Sequence, residues 1–332
     1  MQRPIDYLPL TLLIKVSNFR ISGFYRRFRI ISIITFFVFV SCFNPGTGAM
    51  NEFVEEHFAY DLENPDGKYK LPSYLEEISG LSYYGKGKIA CVQDEKAMVY
   101  VLNLEKEKIS KSFDFGDDGD YEDIVVVDKT AYVLKNNGNI YRIEDFRKKD
   151  RKVKKFNTPL KEKNDTEGIT FDPVTNGLLI ACKGSPSIEK ENRFEGYKAI
   201  YRFDLEEEEL DRAPLFLVDL NRLDSYKDHT VFEKLSIRVA KRLGLIESET
   251  SFQPSGIAIH PANGEIYIIS SVGKLLIVLD RQGKVRDLRE LDPKIFRQPE
   301  GICFSSSGEL FISNEGQGGK GYILYFKPHD ED

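Results

Sequence analysis

Five short phrases in this 332-residue chain place an oxygen-bearing side chain directly before a glycine or its equivalent: Ser79-Gly80, Glu122-Asp123, Glu167-Gly168, Ser255-Gly256 and Glu300-Gly301. Three carboxylates and two hydroxyls in equivalent places make an all-oxygen set with no histidine in it. Such a set suits a hard cation, Ca2+ before Mg2+, and argues against zinc or copper. Glu122, Glu167 and Glu300 are therefore the candidate metal ligands. The same side chains could instead cap strand starts and accept backbone N–H groups of neighbouring elements, as polar fasteners. The two roles are compatible: converging carboxylates must hold a cation, pair with lysine or keep protons.

A second set falls where the following apolar runs end. It comprises Asp94, Lys135, Lys183 and Glu315, with Asn136, Ser270, Ser271 and Asn314 beside them. Lys135 and Lys183 are placed to neutralise Glu122 and Glu167, or to hold an anionic group of a ligand. Together with Ser79 and Ser255, these four form the candidate ligand-binding set. Catalytic signals are thin. The chain has no GxSxG, HExxH, Walker or dinucleotide pattern. Of its four histidines, His260 comes closest to these phrases, and next to Pro261 it reads as a turn residue. Asp117, Asp118 and Asp120 lack EF-hand spacing and read as a solvated loop.

The positions Gly80, Asp123, Gly168, Gly256 and Gly301 lie 43, 45, 88 and 45 residues apart. A period of about 40 to 50 residues marks a radial or solenoid repeat. Each of the first four copies reads as four short strands, with β-branched and aromatic alternation punctuated by Gly, Asp and Asn; the first runs ISGLSYY, KIACVQDE, MVYVLNL, ISKSFDFG. Four antiparallel strands are one propeller blade, and the first strand of each blade lines the central channel. The five oxygen-bearing residues then form a ring near one mouth. The last copy has only three strands, and the segment His57 to Pro65 is the candidate strand that closes it, leaving no open edge. The interval of 88 residues would hold a sixth blade or an insertion. Phe232, Leu235, Val239 and Leu243 fall at helical spacing and favour a helical insertion around 230–244. The expectation is an all-β chain with a single propeller over 57–328, of five four-stranded blades with six as the alternative.

Composition agrees: 41% apolar and 12% aromatic residues suffice for a large core. Six basic and one acidic residue lie in the first 41 positions, which leaves 41 basic against 52 acidic beyond them. A domain that acidic repels a phosphate backbone, so nucleic acid is excluded as a partner. Arg26, Arg27 and Arg29 precede an apolar run of 11 residues from Ile30 to Val40, too short to span a bilayer. This is an export signal. Val40-Ser41-Cys42 resembles a bacterial lipobox, which makes residues 1–41 a lipoprotein signal peptide, Cys42 the lipidated residue and 42–56 a flexible tether. The other cysteines, Cys91, Cys182 and Cys303, sit in apolar runs without metal spacing and read as buried free thiols.

The repeated phrases Ile78-Ser79-Gly80-Leu81, Gly119-Asp120-Tyr121-Glu122, Thr166-Glu167-Gly168, Pro254-Ser255-Gly256, Gln298-Pro299-Glu300-Gly301 and Asn314-Glu315-Gly316 resemble, in order, the SdiA-regulated (YjiK-like) family of bacterial envelope proteins. Asp123 stands where that pattern has glycine. The resemblance implies a five-bladed, distantly NHL-like propeller in the cell envelope with a calcium site, and it leaves activity open. The functional expectation is a lipid-anchored module outside the cytoplasm, on the plasma or outer membrane. It would bind a small ligand or an envelope protein with the help of Ca2+. The alternative is a Ca2+-dependent hydrolase of the lactonase or phosphoesterase kind, in which the ion polarises an ester or phosphate oxygen. A purely structural scaffold is the third reading.

Overall fold

Burial along the strands follows a simple gradient. Runs such as Lys88–Gln93, Gly177–Cys182 and Leu275–Leu279 are apolar nearly throughout and buried on both faces. Runs such as Lys108–Asp114 and Lys152–Phe156 are lysine-rich and exposed. Middle strands covered on both sides and outer strands bordering water are what blades stacked face to face around an axis produce. The lysines on the outer strands also keep those open edges from pairing with other chains.

The computed structural model describes residues 58–189, 193–226 and 252–329. The expected signal peptide, the tether, Cys42 and the expected helix at 230–244 lie outside the described residues. The chain begins with β1 (Gly67–Lys70). Blade 1 holds β2 (Ile78–Tyr83), β3 (Lys88–Gln93), β4 (Met98–Asn103) and β5 (Lys108–Asp114). Blade 2 holds β6 (Tyr121–Val127), β7 (Thr130–Lys135), β8 (Ile140–Glu144) and β9 (Lys152–Phe156). Blade 3 consists of β10 (Thr166–Asp172), β11 (Gly177–Cys182) and β12 (Tyr197–Asp204), with an outer edge split between β13 (Glu209–Leu210) and β14 (Phe216–Asp219). The helix α1 (Leu220–Tyr226) follows. Blade 4 has β15 (Gln253–Ile259), β16 (Ile266–Val272), β17 (Leu275–Leu279) and β18 (Val285–Glu290). Blade 5 has β19 (Pro299–Phe304), β20 (Leu310–Asn314) and β21 (Tyr322–Phe326), completed by β1. The inner strands β2, β6, β10, β15 and β19 touch in that order, and β19 returns to β2. The protein is a five-bladed propeller, and the six-bladed alternative falls.

The ring is closed by the N-terminal side of the domain, as expected, but by a different segment. β1 pairs antiparallel with β21, with Gly67 opposite Tyr325 and Lys70 opposite Tyr322. The segment expected to do this, His57 to Pro65, does not: its described residues, Phe58 to Pro65, instead run across blades 4 and 5 as a clasp. Tyr60 and Leu62 are buried there with Tyr267, Ile302 and Leu324, and the Tyr60 hydroxyl donates to the Gly308 carbonyl at 2.6 Å. The aromatic residues that made this segment look like a strand anchor a loop. Cys91, Cys182 and Cys303 are buried free thiols, and burial pushes the first two up to about 12, so they are inert at neutral pH.

Each inner strand carries a pairing irregularity at its start, between Ile78 and Leu81, Tyr121 and Asp123, Thr166 and Gly168, Pro254 and Gly256, and Pro299 and Ile302. The unpaired residues there include Ser79, Glu122, Glu167, Ser255 and Glu300. A bulge releases a residue from the ladder and re-aims its side chain. Directly after the bulges the blades nearly collide. A Cβ on Gly301 would meet the Ser79 carbonyl at 2.7 Å, and one on Gly80 would meet Asp123 Oδ1 at 2.0 Å. Asp123 itself, 1% exposed, uses the room that glycine leaves. Its Oδ1 accepts the Ile124 N–H and its Oδ2 the Ile169 N–H, each at 2.8 Å, and the Leu81 N–H donates to the same carboxylate. One side chain thus ties blades 1, 2 and 3. Asp123→Ala leaves these buried donors unpaired and should lower the unfolding free energy by about 3 kcal/mol or more in urea titrations, with Asp123→Asn milder because it keeps one acceptor oxygen.

Candidate functional site

The bulged residues open onto a cavity of about 270 Å³ at the end of the channel where the inner strands begin. Ser79, Glu122, Glu167 and Glu300 line it, and Asp94, Lys183 and Glu315 join them from the second set. Two expected members do not. Ser255, 4% exposed, donates its hydroxyl to the Pro299 carbonyl at 2.7 Å and fastens blade 4 to blade 5. The Lys135 ammonium lies 5.0 Å from the centre of the Tyr121 ring and forms no ion pair with Glu122 among the described residues. His260 sits just beyond the other end of β15, with Nε2 3.1 Å from the Tyr60 hydroxyl, in an aromatic contact with Phe304 and Tyr267.

The wall also contains Asp120, Asn136, Asp165 and Gln298. Asn136 belongs to the second set, whereas the other three were not read as site residues. Asp120, Asp165 and Gln298 each stand two residues before a channel glutamate, so a second periodic position carried their signal. Asp165 adopts a left-handed backbone conformation, φ 48°, at the C-terminal cap of a single helical turn, Glu162–Asn164. Aspartate tolerates that conformation better than most residues. Asp120 accepts the Asn136 amide at 2.8 Å, so it forms part of the wall.

The cavity therefore gathers seven carboxylates, Asp94, Asp120, Glu122, Asp165, Glu167, Glu300 and Glu315, around one lysine. Lys183 Nζ lies 2.6 Å from Glu167 and 3.8 Å from Asp165. Burial works against its charge, but Glu167 and Asp165 hold the ammonium above the ordinary lysine range. Burial and the neighbouring Glu167 push Glu122 up to about 9. Glu167 rises to about 7 through burial, even with Lys183 against it. Glu300 rises to about 7 through burial and the charge of Glu315, moderated by hydrogen bonds from Gln298 and Ser271. Glu315 rises to about 7 through burial and the charges of Asp94 and Glu77. One buried oxygen of the cavity wall lacks any partner, Asp94 Oδ1. Chemically, the mouth is a hard-oxygen site short of positive charge.

Fold and site together define a five-bladed β-propeller with an acidic channel mouth. The chain belongs to the SdiA-regulated family, whose model matches residues 58–317. No curated protein matches the chain. Among solved structures it is similar to the glutaminyl cyclase of Myxococcus xanthus, at 11% identity and a TM-score of 0.50, over 80% of this chain and 97% of that one. It is also similar to the PQQ-bound aldose sugar dehydrogenase of Streptomyces coelicolor, at 11% identity and a TM-score of 0.46 over 80% and 98%. A third match is the virginiamycin B lyase of Staphylococcus aureus, at 15% and 0.42 over 80% and 89%. The likeness to the cyclase is one of fold.

The raised carboxyls give stability a definite pH slope. Glu167, Glu300 and Glu315 titrate near 7 and Glu122 near 9 in the folded protein, against about 4.3 for an unfolded glutamate. Between those values the folded state binds more protons than the unfolded one, so stability is highest at the acid end and falls as pH rises. In chelator, the melting temperature should drop between pH 5 and pH 8. Glu122→Gln should flatten the part of the decline above pH 7, as read by differential scanning calorimetry.

Proposed function

We propose that this protein is a non-catalytic binding propeller of the cell envelope, lipid-anchored through Cys42, whose channel mouth takes Ca2+ and, through it, a ligand or an envelope protein. The observation that carries this reading is the imbalance in the mouth, seven carboxylates against one lysine. Uncompensated carboxylates in a confined site either keep protons or hold a cation, and the upward direction of their pKa values agrees with that. The donors are all oxygen, and the partnerless Asp94 Oδ1 leaves an acceptor free for an ion. Among the described residues no three acidic, histidine or cysteine groups already stand close enough together to ligate a metal directly. The carboxylates ring the cavity instead. That arrangement suits Ca2+, which accepts a large, irregular shell completed by water, better than Mg2+, which demands a tight octahedron.

Glu300, Glu315 and Asp94 would supply the main ligands, with Glu122 and Glu167 contributing from the Lys183 side. No helix among the described residues is long and apolar enough to cross a membrane; attachment in this reading comes from the lipid on Cys42, with the propeller outside the cytoplasm on the plasma or outer membrane. The acidic surface disfavours nucleic acid as a partner.

The test uses the full chain in detergent. Ca2+ should raise its melting temperature, by about 2.7 kcal/mol of stabilisation at a hundredfold excess over Kd. Glu300→Gln should remove most of the shift, and the shift should be larger at pH 8 than at pH 5. No shift in either protein would sink the cation site. Reproducible Ca2+-dependent turnover of lactones or phosphate esters by the same sample would replace the binding reading with the hydrolase one.

A further inference from the structure

Beside the acidic mouth lies a larger cleft of about 550 Å³ whose walls carry a different chemistry. Asn137, Asn139 and Asn157 form one part, Lys161 and Lys163 with Glu162 between them another, and Leu160 is its one apolar residue. Two loops line both cavities. In the turn after β7, Asn136 faces the mouth while Asn137 and Asn139 face the cleft. In the turn before β10, Lys161 and Lys163 face the cleft while Asp165 faces the mouth. Whatever occupies one cavity is therefore one residue of loop away from the other.

The loops are held from behind, so the cleft is pre-formed. The Thr166 hydroxyl donates to the Lys135 carbonyl at 2.6 Å, and the Thr158 hydroxyl to the Gly138 carbonyl at 2.9 Å. Asn164, fully buried, donates its amide to the Ser185 and Ser187 carbonyls at 2.8 and 3.0 Å while its oxygen accepts the Lys161 N–H at 3.0 Å. Of the cleft-facing cations, Lys163 is taken up by the Glu189 carbonyl, to which its ammonium donates, but most of the other cleft-facing groups are idle. Among the described residues the side chains of Asn139 and Asn157 make no hydrogen bond and Lys161 makes no ion pair. Asn137 uses only its oxygen, which accepts the Asn139 N–H at 3.2 Å.

The volume falls within the roughly 300–1,000 Å³ of small-molecule sites. With one leucine and no aromatic ring, the cleft has no pocket for an apolar anchor such as peptide recognition uses. Amides offer paired donors and acceptors without charge, which match neighbouring hydroxyls, and a free ammonium matches a carboxylate. The acidic mouth alone would repel an anionic ligand; a cation seated there would attract it. We propose that this cleft is a saccharide subsite for short acidic oligosaccharides of the uronic-acid class, with the hydroxyls on Asn139 and Asn157, a carboxylate on Lys161, and a further carboxylate reaching toward Ca2+ in the mouth. This rests on the Ca2+ reading above only for that last contact.

The probe is tetragalacturonate, titrated calorimetrically into the full chain in detergent with Ca2+ and with chelator. Neutral galactotetraose and tetraglutamate serve as comparisons, and the melting shift with Ca2+ is recorded for every variant. Tetragalacturonate should bind best with Ca2+ present. The double variant Asn139→Ala with Asn157→Ala should weaken it about tenfold, as two lost hydrogen bonds of ordinary strength imply, while leaving the Ca2+ melting shift intact. Lys161→Ala should weaken it as well. Absence of binding, equal binding of tetraglutamate, or binding that the double variant leaves unchanged would overturn the proposal. A missing Ca2+ shift in the parent would strike the mouth reading instead; the cleft then stands if the double variant still weakens binding in chelator, and falls if it does not.

Discussion

Everything in this protein depends on five inner strands meeting at one end of a channel more closely than side chains allow. Where the strands come together the chain has either glycine or a group small enough to be shared between blades. Gly80 yields to Asp123, and Gly301 yields to the Ser79 carbonyl. The polar groups at these seams do the joining: Asp123 across three blades, Ser255 from blade 4 to Pro299, and Ser313 from the Gly301 N–H to the Ser79 carbonyl at 2.7 and 2.9 Å. Because these bonds lie in the dry centre, each is more costly to break than its surface equivalent. The bulges that bring about the close approach also free one residue per blade from the ladder, so the constraint that closes the ring also delivers side chains to the mouth.

The period was legible in the sequence because that constraint repeats. A glycine preceded by serine or glutamate recurs at the start of four of the five inner strands, with Asp123 in its place on blade 2, and the apolar runs after it read as strands without ambiguity. The closing strand was not legible for a physical reason. Gly67–Lys70 alternates between half-buried and exposed residues and lies on an outer edge, so its four residues carry no apolar signature. Phe58 to Pro65 carries one, through Phe58, Tyr60 and Leu62, but spends it on packing against blades 4 and 5 without pairing. Apolar pattern reports burial, and burial does not distinguish a strand from a clasp.

The site was legible to the same extent. Glutamates at the repeat position were recognisable, and all three line the mouth. Ser255 occupies the same repeat position, yet its short hydroxyl finds the neighbouring carbonyl before it can reach the cavity. Lys135 stands one place before the position of Lys183, because Tyr121 pairs with Lys135 as Thr166 pairs with Cys182; the equivalent residue is Asn136, which lines the mouth, while the Lys135 ammonium settles beside the Tyr121 ring. Asp165 and Gln298 are harder to read because attention to the glycine period passes over a second recurring offset, three residues before the glycine, whose side chains reach the same space.

The charge in the mouth is not evenly distributed, and that asymmetry bears on where an ion would sit. Lys183 belongs to blade 3 and is taken up by Glu167 and Asp165 of the same blade. On the side formed by blades 5 and 1, Glu300 and Glu315 receive only neutral donors, chiefly Gln298, whose own oxygen accepts the Gln317 amide at 2.7 Å and so leaves its amide to face the two carboxylates. Asp94, across from them on blade 1, keeps one oxygen without a partner. Neutral hydrogen bonds stabilise a buried carboxylate less than a cation does, so Asp94, Glu300 and Glu315 share a deficit of positive charge that no lysine of their own blades meets in an ion pair among the described residues. Lys183 meets part of the charge on blade 3, but Glu122 beside it is still pushed up to about 9 by burial and by Glu167, so an ion held as proposed would relieve carboxylates on both sides of the ring.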